Sequence, residues 1–281
     1  MAFGIMKLSE HAPRRAMPRA KELYQAFEFF KSSLFSRGRE RFSQVDVETN
    51  SNCNRACRIC PRSTTPKDEG RMDGELYITL IQQLASMGYR GRIAPVFYNE
   101  PLLDERLPSL VRYATEKLPK AEFLIYTNGS LLTEGIVKCL VDSGASGFIV
   151  SQYVGNLPKD DAAGLIEKLP RALRKKIRYR VLTDENSLST RGGLVALRHP
   201  IVKGHCFQAS SKATIDYRGN VILCCNDYNA EYKFGNIGEK HILDIWNSPD
   251  FRNLRREMRS GRFEAGLCKA CTGKIAFSLE A

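Results

Sequence analysis

From about residue 42 the chain alternates between two hydrophobic rhythms. Short runs that are apolar at every second position, or nearly throughout, read as strands: FSQVDVETN (42–50), RIAPVFY (92–98), AEFLIYTN (121–128), SGFIVSQY (146–153) and IRYRVLT (177–183). Between them, apolar residues three and four apart predict helices over 73–88, closed by Gly88, over about 104–118, over 133–143 and near 160–175. Strands alternating with helices make parallel β/α units, and five or six of them favour a full or partial barrel over an open sheet. Loops leaving the C-terminal strand ends should then carry the chemistry. Upstream, Leu23, Phe27, Phe30 and Leu34 recur at helical spacing within 18–36. They predict an amphipathic helix packed on the main domain rather than on a membrane, because its polar face carries Glu22 and Glu28 as well as lysines.

After LSTRGG (188–193) the rhythm changes. KATIDYRGNVILCCND (212–227) holds two β-rich runs around RGN, a hairpin signal. NSPDFRNLRREMRSG (247–261) predicts a helix with Ser248 as its cap, Pro249 in its first turn and Phe251, Leu254 and Met258 as its apolar stripe. The expected organisation is an N-terminal helical extension (1–41), a barrel (42–200) and a small second domain of hairpin plus helix (201–281).

The 281 residues are 43% hydrophobic and 26% charged, an ordinary globular composition. No apolar run is long enough to span a membrane, and the basic N-terminus lacks a secretory signal's apolar core, so the expected compartment is the cytoplasm. A reducing compartment disfavours disulfides, and the nine cysteines are odd in number and clustered, which points to metal ligation. The 43 Lys and Arg exceed the 31 Asp and Glu by +12. Such an excess suits a phosphorylated or nucleotide-linked small molecule, or an acidic redox partner. No aromatic stripe interleaved with the basic residues marks a nucleic-acid platform.

NCNRACRICPRS (52–63) packs Cys53, Cys57 and Cys60 into eight residues directly after the first strand. Zinc takes four ligands in a paired spacing that is absent here. Three thiolates instead suit an iron–sulfur cluster whose fourth iron binds something else, and a loop is able to wrap it. Arg55 and Arg58 would moderate its anionic charge. Further on stand Cys206, Cys224 with Cys225 beside it, and the pair Cys268 and Cys271. Four thiolates in two halves are compatible with a cluster or with structural zinc. Cys139, in GIVKCLVDSG, reads as a buried apolar residue of a helix.

The CxxxCxxC spacing, with Ile59 before the last cysteine, resembles the signature of radical S-adenosylmethionine enzymes. FYNEPLLD (97–104) resembles that family's second-strand motif, although Asn99 stands where glycine is commoner. YTNGSLLT (126–133) matches its third-strand segment, and Ser151 and Arg180 stand where relatives hold ribose and carboxylate. The spacing Cys206–x12–Gly219–x4–Cys224, followed by the final CxxC, resembles the Twitch form of the SPASM auxiliary domain. The resemblance implies a partial (β/α)6 barrel, S-adenosylmethionine and two [4Fe–4S] clusters. Cys53, Cys57 and Cys60 would hold the first cluster, and Cys206, Cys224, Cys268 and Cys271 the second. It places Ile59 against adenine, Tyr98, Asn99 and Glu100 at the methionyl amine, Thr127, Asn128 and Ser151 on the ribose side, and Arg180 at the carboxylate or between cofactor and substrate.

The reaction implied is radical hydrogen abstraction from a small, carbohydrate-like or nucleotide-linked molecule, with the auxiliary cluster accepting a second electron. A flavodoxin- or ferredoxin-type donor would supply the first. Three alternatives stay open: a radical epimerase with Cys225 as hydrogen donor, carbon–carbon coupling on a nucleotide-linked sugar, and a peptide-modifying SPASM enzyme. The stretch before the barrel is short for the leader-binding domain that the last often carries.

Overall fold

The structure, a computed structural model, describes residues 23, 26–27, 40–153, 162–182, 189–195 and 204–273. Five strands, β1 (Gln44–Val47), β2 (Arg92–Ala94), β3 (Glu122–Thr127), β4 (Gly147–Tyr153) and β5 (Ile177–Leu182), pair in parallel in chain order. The helices between them are α1 (Gly74–Ser86), α2 (Leu107–Lys117), α3 (Glu134–Asp142), α4 (Ala162–Lys168) and α5 (Arg171–Arg174). Five strands and three helices fall where the hydrophobic rhythm put them. The helix expected near 160–175 is broken into α4 and α5, because Pro170 is extended (ψ 138°) and disfavours helix in the residue before it.

The hairpin strands are β6 (Lys212–Ile215) and β7 (Asn220–Ile222), followed by β8 (Lys233–Asn236). Here the sheet holds a departure from the sequence reading. β6 opens the hairpin as expected, yet it also pairs in parallel with β1, Val45 opposite Ala213 and Val47 opposite Ile215. One eight-stranded sheet, ordered β5-β4-β3-β2-β1-β6-β7-β8, therefore runs from the barrel into the hairpin. The sixth parallel strand comes from the C-terminal part, and the boundary expected near 200 lies outside the described residues. Strand pairing is set by neighbours distant in sequence, so period-2 patterning alone could not assign it.

On β1, Val45 and Val47 face a core with Leu80, Ile81 and Leu84 of α1, Val111 of α2, Val137 of α3 and Phe123 of β3, all buried. Gln44, Asp46 and Glu48 alternate with them and are buried on the opposite face. After β8 come α7 (Ile242–Trp246), α8 (Pro249–Arg259) and α9 (Gly266–Cys271); a single turn, α6 (Gln208–Ser211), leads into β6. Phe251 and Met258 of α8 are buried as expected, with Leu254 half-buried, but Ser248 makes no side-chain capping bond. Arg255 on the same helix is fully buried. It lies over Trp246 and Phe251 at 4.1 and 4.4 Å and pairs with Glu40 just before β1.

Two packing expectations fail. Leu23 and Phe27 are helical but 71% and 62% exposed, so neither packs on the main domain; Phe30 and Leu34 lie outside the described residues. Cys139 is exposed on α3, where Val137 and Leu140 take the inward positions. Among the described residues no helix is long and apolar enough to cross a membrane.

Candidate active site and auxiliary thiol centre

The chain leaving β1 folds back on itself before it reaches α1, and that closure shapes the three-thiol loop. Ser51 N–H donates to Gly70 O, and Gly70 N–H donates to the Ser51 hydroxyl, both at 2.8 Å. Met72 N–H then bonds Thr49 O at 2.9 Å. Inside the closed loop, Cys60 N–H donates to Cys57 O at 2.8 Å, and Arg62 reaches back to Ser51 O at 2.7 Å. Asn54 pins the loop to the end of β3 by donating to Ser130 and accepting from Asn128, at 2.8 and 2.9 Å.

The loop faces a cleft enclosing about 760 Å³, the solvent at its mouth included. Cys53, Cys57, Ile59, Cys60, Tyr98, Asn99, Glu100, Thr127, Asn128, Ser151 and Arg180 all line it. Every residue that the sequence motifs assigned to the cofactor is thus on one wall system, from the C-terminal ends of five parallel strands. Glu100 is its polar hub and is almost fully buried. Its carboxylate accepts from the Thr127 hydroxyl and the Asn128 N–H, each at 2.8 Å, so the second- and third-strand motifs meet on one side chain. Burial pushes the Glu100 pKa up against those donors. Asn99 accepts from Phe97 N–H at 2.8 Å and stays out of the left-handed region, so the glycine commonly found at this position is not needed here. Arg180, exposed at the rim, donates to the Ser151 hydroxyl at 2.8 Å and lies 5.8 Å from the Tyr126 ring centre.

The wall also carries Arg55, Val96, Phe97, Tyr126 and Arg191. Tyr126 stood inside a quoted motif with no role assigned. Arg191 comes from the TRGG segment, where the only signal was an arginine before two glycines. It lies 5.7 Å from the Tyr98 ring centre.

The donor set fits the group that the motifs imply. Three free thiols converge on the cleft, and burial and one another's proximity raise the Cys57 pKa to about 11. Thiols so placed become stable anions only by giving up their protons to a metal centre. The Tyr98 hydroxyl is buried and has no hydrogen-bond partner among the described residues, leaving a polar atom for a bound molecule to satisfy.

The second thiol set gathers from three separate stretches. Cys206 N–H bonds Met258 O at 3.0 Å, Cys224 follows β7, and Cys268 and Cys271 lie on α9. The Gly219 turn between β6 and β7 needs its positive φ of 85°, with Leu76 at 2.8 Å from where a Cβ would stand. Burial first, then Cys206 and Cys271, pushes the Cys268 thiol up to about 12. Asn226 reaches two of the four sulfurs, its backbone N–H to Cys224 at 3.5 Å and its amide to Cys271 at 3.3 Å. Cys225 lies beside this set, accepts from the Gln208 amide at 3.3 Å, and is not part of the cleft's lining.

The SPASM family of iron–sulfur cluster-binding domains matches residues 206–272. The chain is 40% identical over 234 residues to the S-adenosyl-L-methionine-dependent 2-deoxy-scyllo-inosamine dehydrogenase of Niallia circulans, covering 82% of this chain and 92% of that protein. The crystal structure of BtrN in complex with AdoMet and 2-DOIA matches with a TM-score of 0.76 and 38% identity, over 82% of this chain and 93% of that one. BtrN in an open conformation matches with a TM-score of 0.65 and 35% identity, over 82% and 92%. On this identity, carried through barrel and thiol-rich C-terminus alike, the chain belongs to the radical S-adenosylmethionine oxidoreductases with a SPASM domain, enzymes that use S-adenosylmethionine and [4Fe–4S] clusters.

Proposed function

We propose that this protein dehydrogenates an aminocyclitol or a closely similar polyhydroxylated ring, converting one ring alcohol to a ketone. Carrying the reading is one observation: the cleft lined by all three loop cysteines also holds every residue that the motifs assign to the cofactor. Identity to a 2-deoxy-scyllo-inosamine dehydrogenase supports the substrate class.

In this reading Cys53, Cys57 and Cys60 hold one [4Fe–4S] cluster, and Cys206, Cys224, Cys268 and Cys271 hold the auxiliary one. When bound, S-adenosylmethionine and the two clusters would supply a 5′-deoxyadenosyl radical to take a carbon-bound hydrogen atom and an acceptor for the second electron, the hydroxyl proton leaving to solvent. The chain's own residues position and shield. Glu100, oriented by Thr127 and Asn128, presents a carboxylate for the methionyl ammonium. Ile59 offers an apolar surface for adenine, while Ser151 and Arg180 form a hydroxyl–guanidinium pair for ribose and carboxylate. Tyr126 and Arg191, which no motif assigned to the cofactor, remain to face the substrate, a phenol and a cation suited to hydroxyl groups. A flavodoxin- or ferredoxin-type donor is the expected electron source, and a reducing cytoplasm suits cysteines none of which forms a disulfide.

The test is anaerobic turnover of reconstituted protein with 2-deoxy-scyllo-inosamine. The reading expects 5′-deoxyadenosine and a keto product in equal amounts. 5′-Deoxyadenosine formed without ketone, across a panel of aminocyclitols, would refute the dehydrogenase assignment. An epimerised product would instead bring Cys225 forward, although it lies off the cleft wall.

A further inference from the structure

Between the cleft and the auxiliary thiols runs a short strap, residues 189–193. Its backbone is left-handed at three successive residues, Arg191 (φ 51°), Gly192 (φ 71°) and Gly193 (φ 93°). For an arginine that conformation costs roughly 1–2 kcal/mol, and it persists only where the surroundings over-determine it. They do so here. A Cβ on Gly192 would stand 2.2 Å from Leu267 of α9 and 3.2 Å from Asn226 O, so the strap lies directly on the auxiliary centre. Ser189 ties it down, donating to Asn226 Oδ1 at 2.8 Å while accepting from Arg191 N–H at 3.3 Å.

Asn226 is therefore committed at both ends of its amide. Oδ1 is taken by Ser189, which turns Nδ2 towards Cys271 Sγ at 3.3 Å, and its backbone N–H points at Cys224 Sγ at 3.5 Å. Hydrogen bonds to cluster thiolates stabilise the more negative, reduced form and so raise the reduction potential. We propose that Asn226 is a positioning residue that tunes the auxiliary cluster towards electron acceptance, with Ser189 locking its amide and joining that centre to the strap that carries Arg191 into the cleft. The inference rests on reading Cys206, Cys224, Cys268 and Cys271 as cluster ligands, and deepens it.

The experiment uses the full-length Cys53/Cys57/Cys60→Ala chain, in which only the auxiliary cluster remains, reconstituted and titrated redox-wise under electron paramagnetic resonance. Asn226→Leu removes the amide without adding charge, and Ser189→Ala frees it while leaving in place Thr190 and Gly192, the other strap groups that reach Cys271. The expected result is about four irons in all three proteins, with a lower midpoint in Asn226→Leu. The expected drop is roughly tenfold in the equilibrium constant for accepting an electron, ~59 mV for one electron. Ser189→Ala should shift the midpoint in the same direction by less. Unchanged midpoints at full iron content would overturn the proposal. Should Asn226→Leu fail to hold iron, Ser189→Ala decides alone. A parent chain that binds no iron would mean that the auxiliary-cluster reading itself had failed, a different and separately visible outcome.

Discussion

The two thiol groups are built in opposite ways. Cys53, Cys57 and Cys60 share one loop, pinned at its base by Ser51 and Gly70, and face a cleft. Cys206, Cys224, Cys268 and Cys271 arrive from three stretches of chain and lie off that cleft, with Asn226 directing N–H groups at two of them. Backbone N–H groups of Arg55 and Arg62 reach the Cys53 and Cys60 sulfurs, so both groups receive donors from the chain. Only beside the first does a buried phenol, Tyr98, lack a hydrogen-bond partner among the described residues. A centre that opens onto a cleft is arranged to take a ligand, while one set off from it behind four thiols of its own chain is arranged to exchange electrons. The difference is expected to show in which activity each set of substitutions removes.

Its largest test is the pair of multiple cysteine variants. Cys53/Cys57/Cys60→Ala should abolish S-adenosylmethionine cleavage completely while keeping about four irons per chain. Cys268/Cys271→Ala should keep cleavage to 5′-deoxyadenosine but lose ketone formation. If the second variant also lost cleavage while its iron at the first site persisted, the division of labour would be wrong.

Next in size is the joint between the two regions. Glu40, just before β1, bonds Arg255 and Arg259 of α8, and its backbone is held by Asn247. Arg255 is fully buried, so Glu40→Gln would leave its charge without a counter-charge at a cost of about 3–5 kcal/mol. Burial raises the Glu40 pKa, but the Arg255 and Arg259 contacts outweigh it and hold the carboxyl below its usual 4.5. A carboxyl depressed in the folded state stabilises above its unfolded pKa and loses that contribution as pH falls through the folded value. The wild type should therefore lose this stabilisation only below pH 4.5, and the Gln variant should show a flatter acid limb in thermal melts.

Within the cleft, Glu100→Gln keeps the shape but removes the charge. A hydrogen bond to a charged group contributes about 1.5–3 kcal/mol, so affinity for S-adenosylmethionine should fall roughly 10- to 100-fold by calorimetry on the iron-loaded protein. Equal affinity would mean that the ammonium is held elsewhere.

How much of this was legible beforehand follows the same divide. The cleft motifs lie in the C-terminal halves of strands or just after them, where a parallel β/α barrel carries its site. Patterning located the strands, and the resemblance of the motifs at their ends singled out Glu100, Thr127, Asn128 and Ser151, which the structure brings to one cleft. Arg191 was not singled out, because the strap holding it has no periodicity and is placed by Ser189, Asn226 and Leu267, contacts remote in sequence. The same holds for β6, whose pattern announced a strand but not that β1 would be its parallel neighbour. Cys139 was misread because one cysteine between a lysine and a leucine fits either side of a helix, and Val137 and Leu140 decided the face.

The smallest expected effect contrasts the helix caps of the two regions. In the barrel, the Thr133 hydroxyl accepts from Ile136 N–H at 3.1 Å at the start of α3. At the start of α8, Ser248 holds the same sequence position with its backbone extended (ψ 145°), yet its hydroxyl makes no such bond. Thr133→Ala should therefore cost about 1 kcal/mol, a fall of ~2–4 °C in melting temperature. Ser248→Ala should stay within about 0.5 kcal/mol of the parent. Pro249 explains the difference: with φ fixed and no N–H to satisfy, it organises the first turn of α8 without help from the serine. Equal losses in the two variants would show that the serine caps its helix in solution, and that the C-terminal region draws on the same local devices as the barrel. Unequal losses would leave α8 held mainly by Phe251, Met258 and the buried Arg255, which is long-range packing of the same kind that assembles the auxiliary thiols.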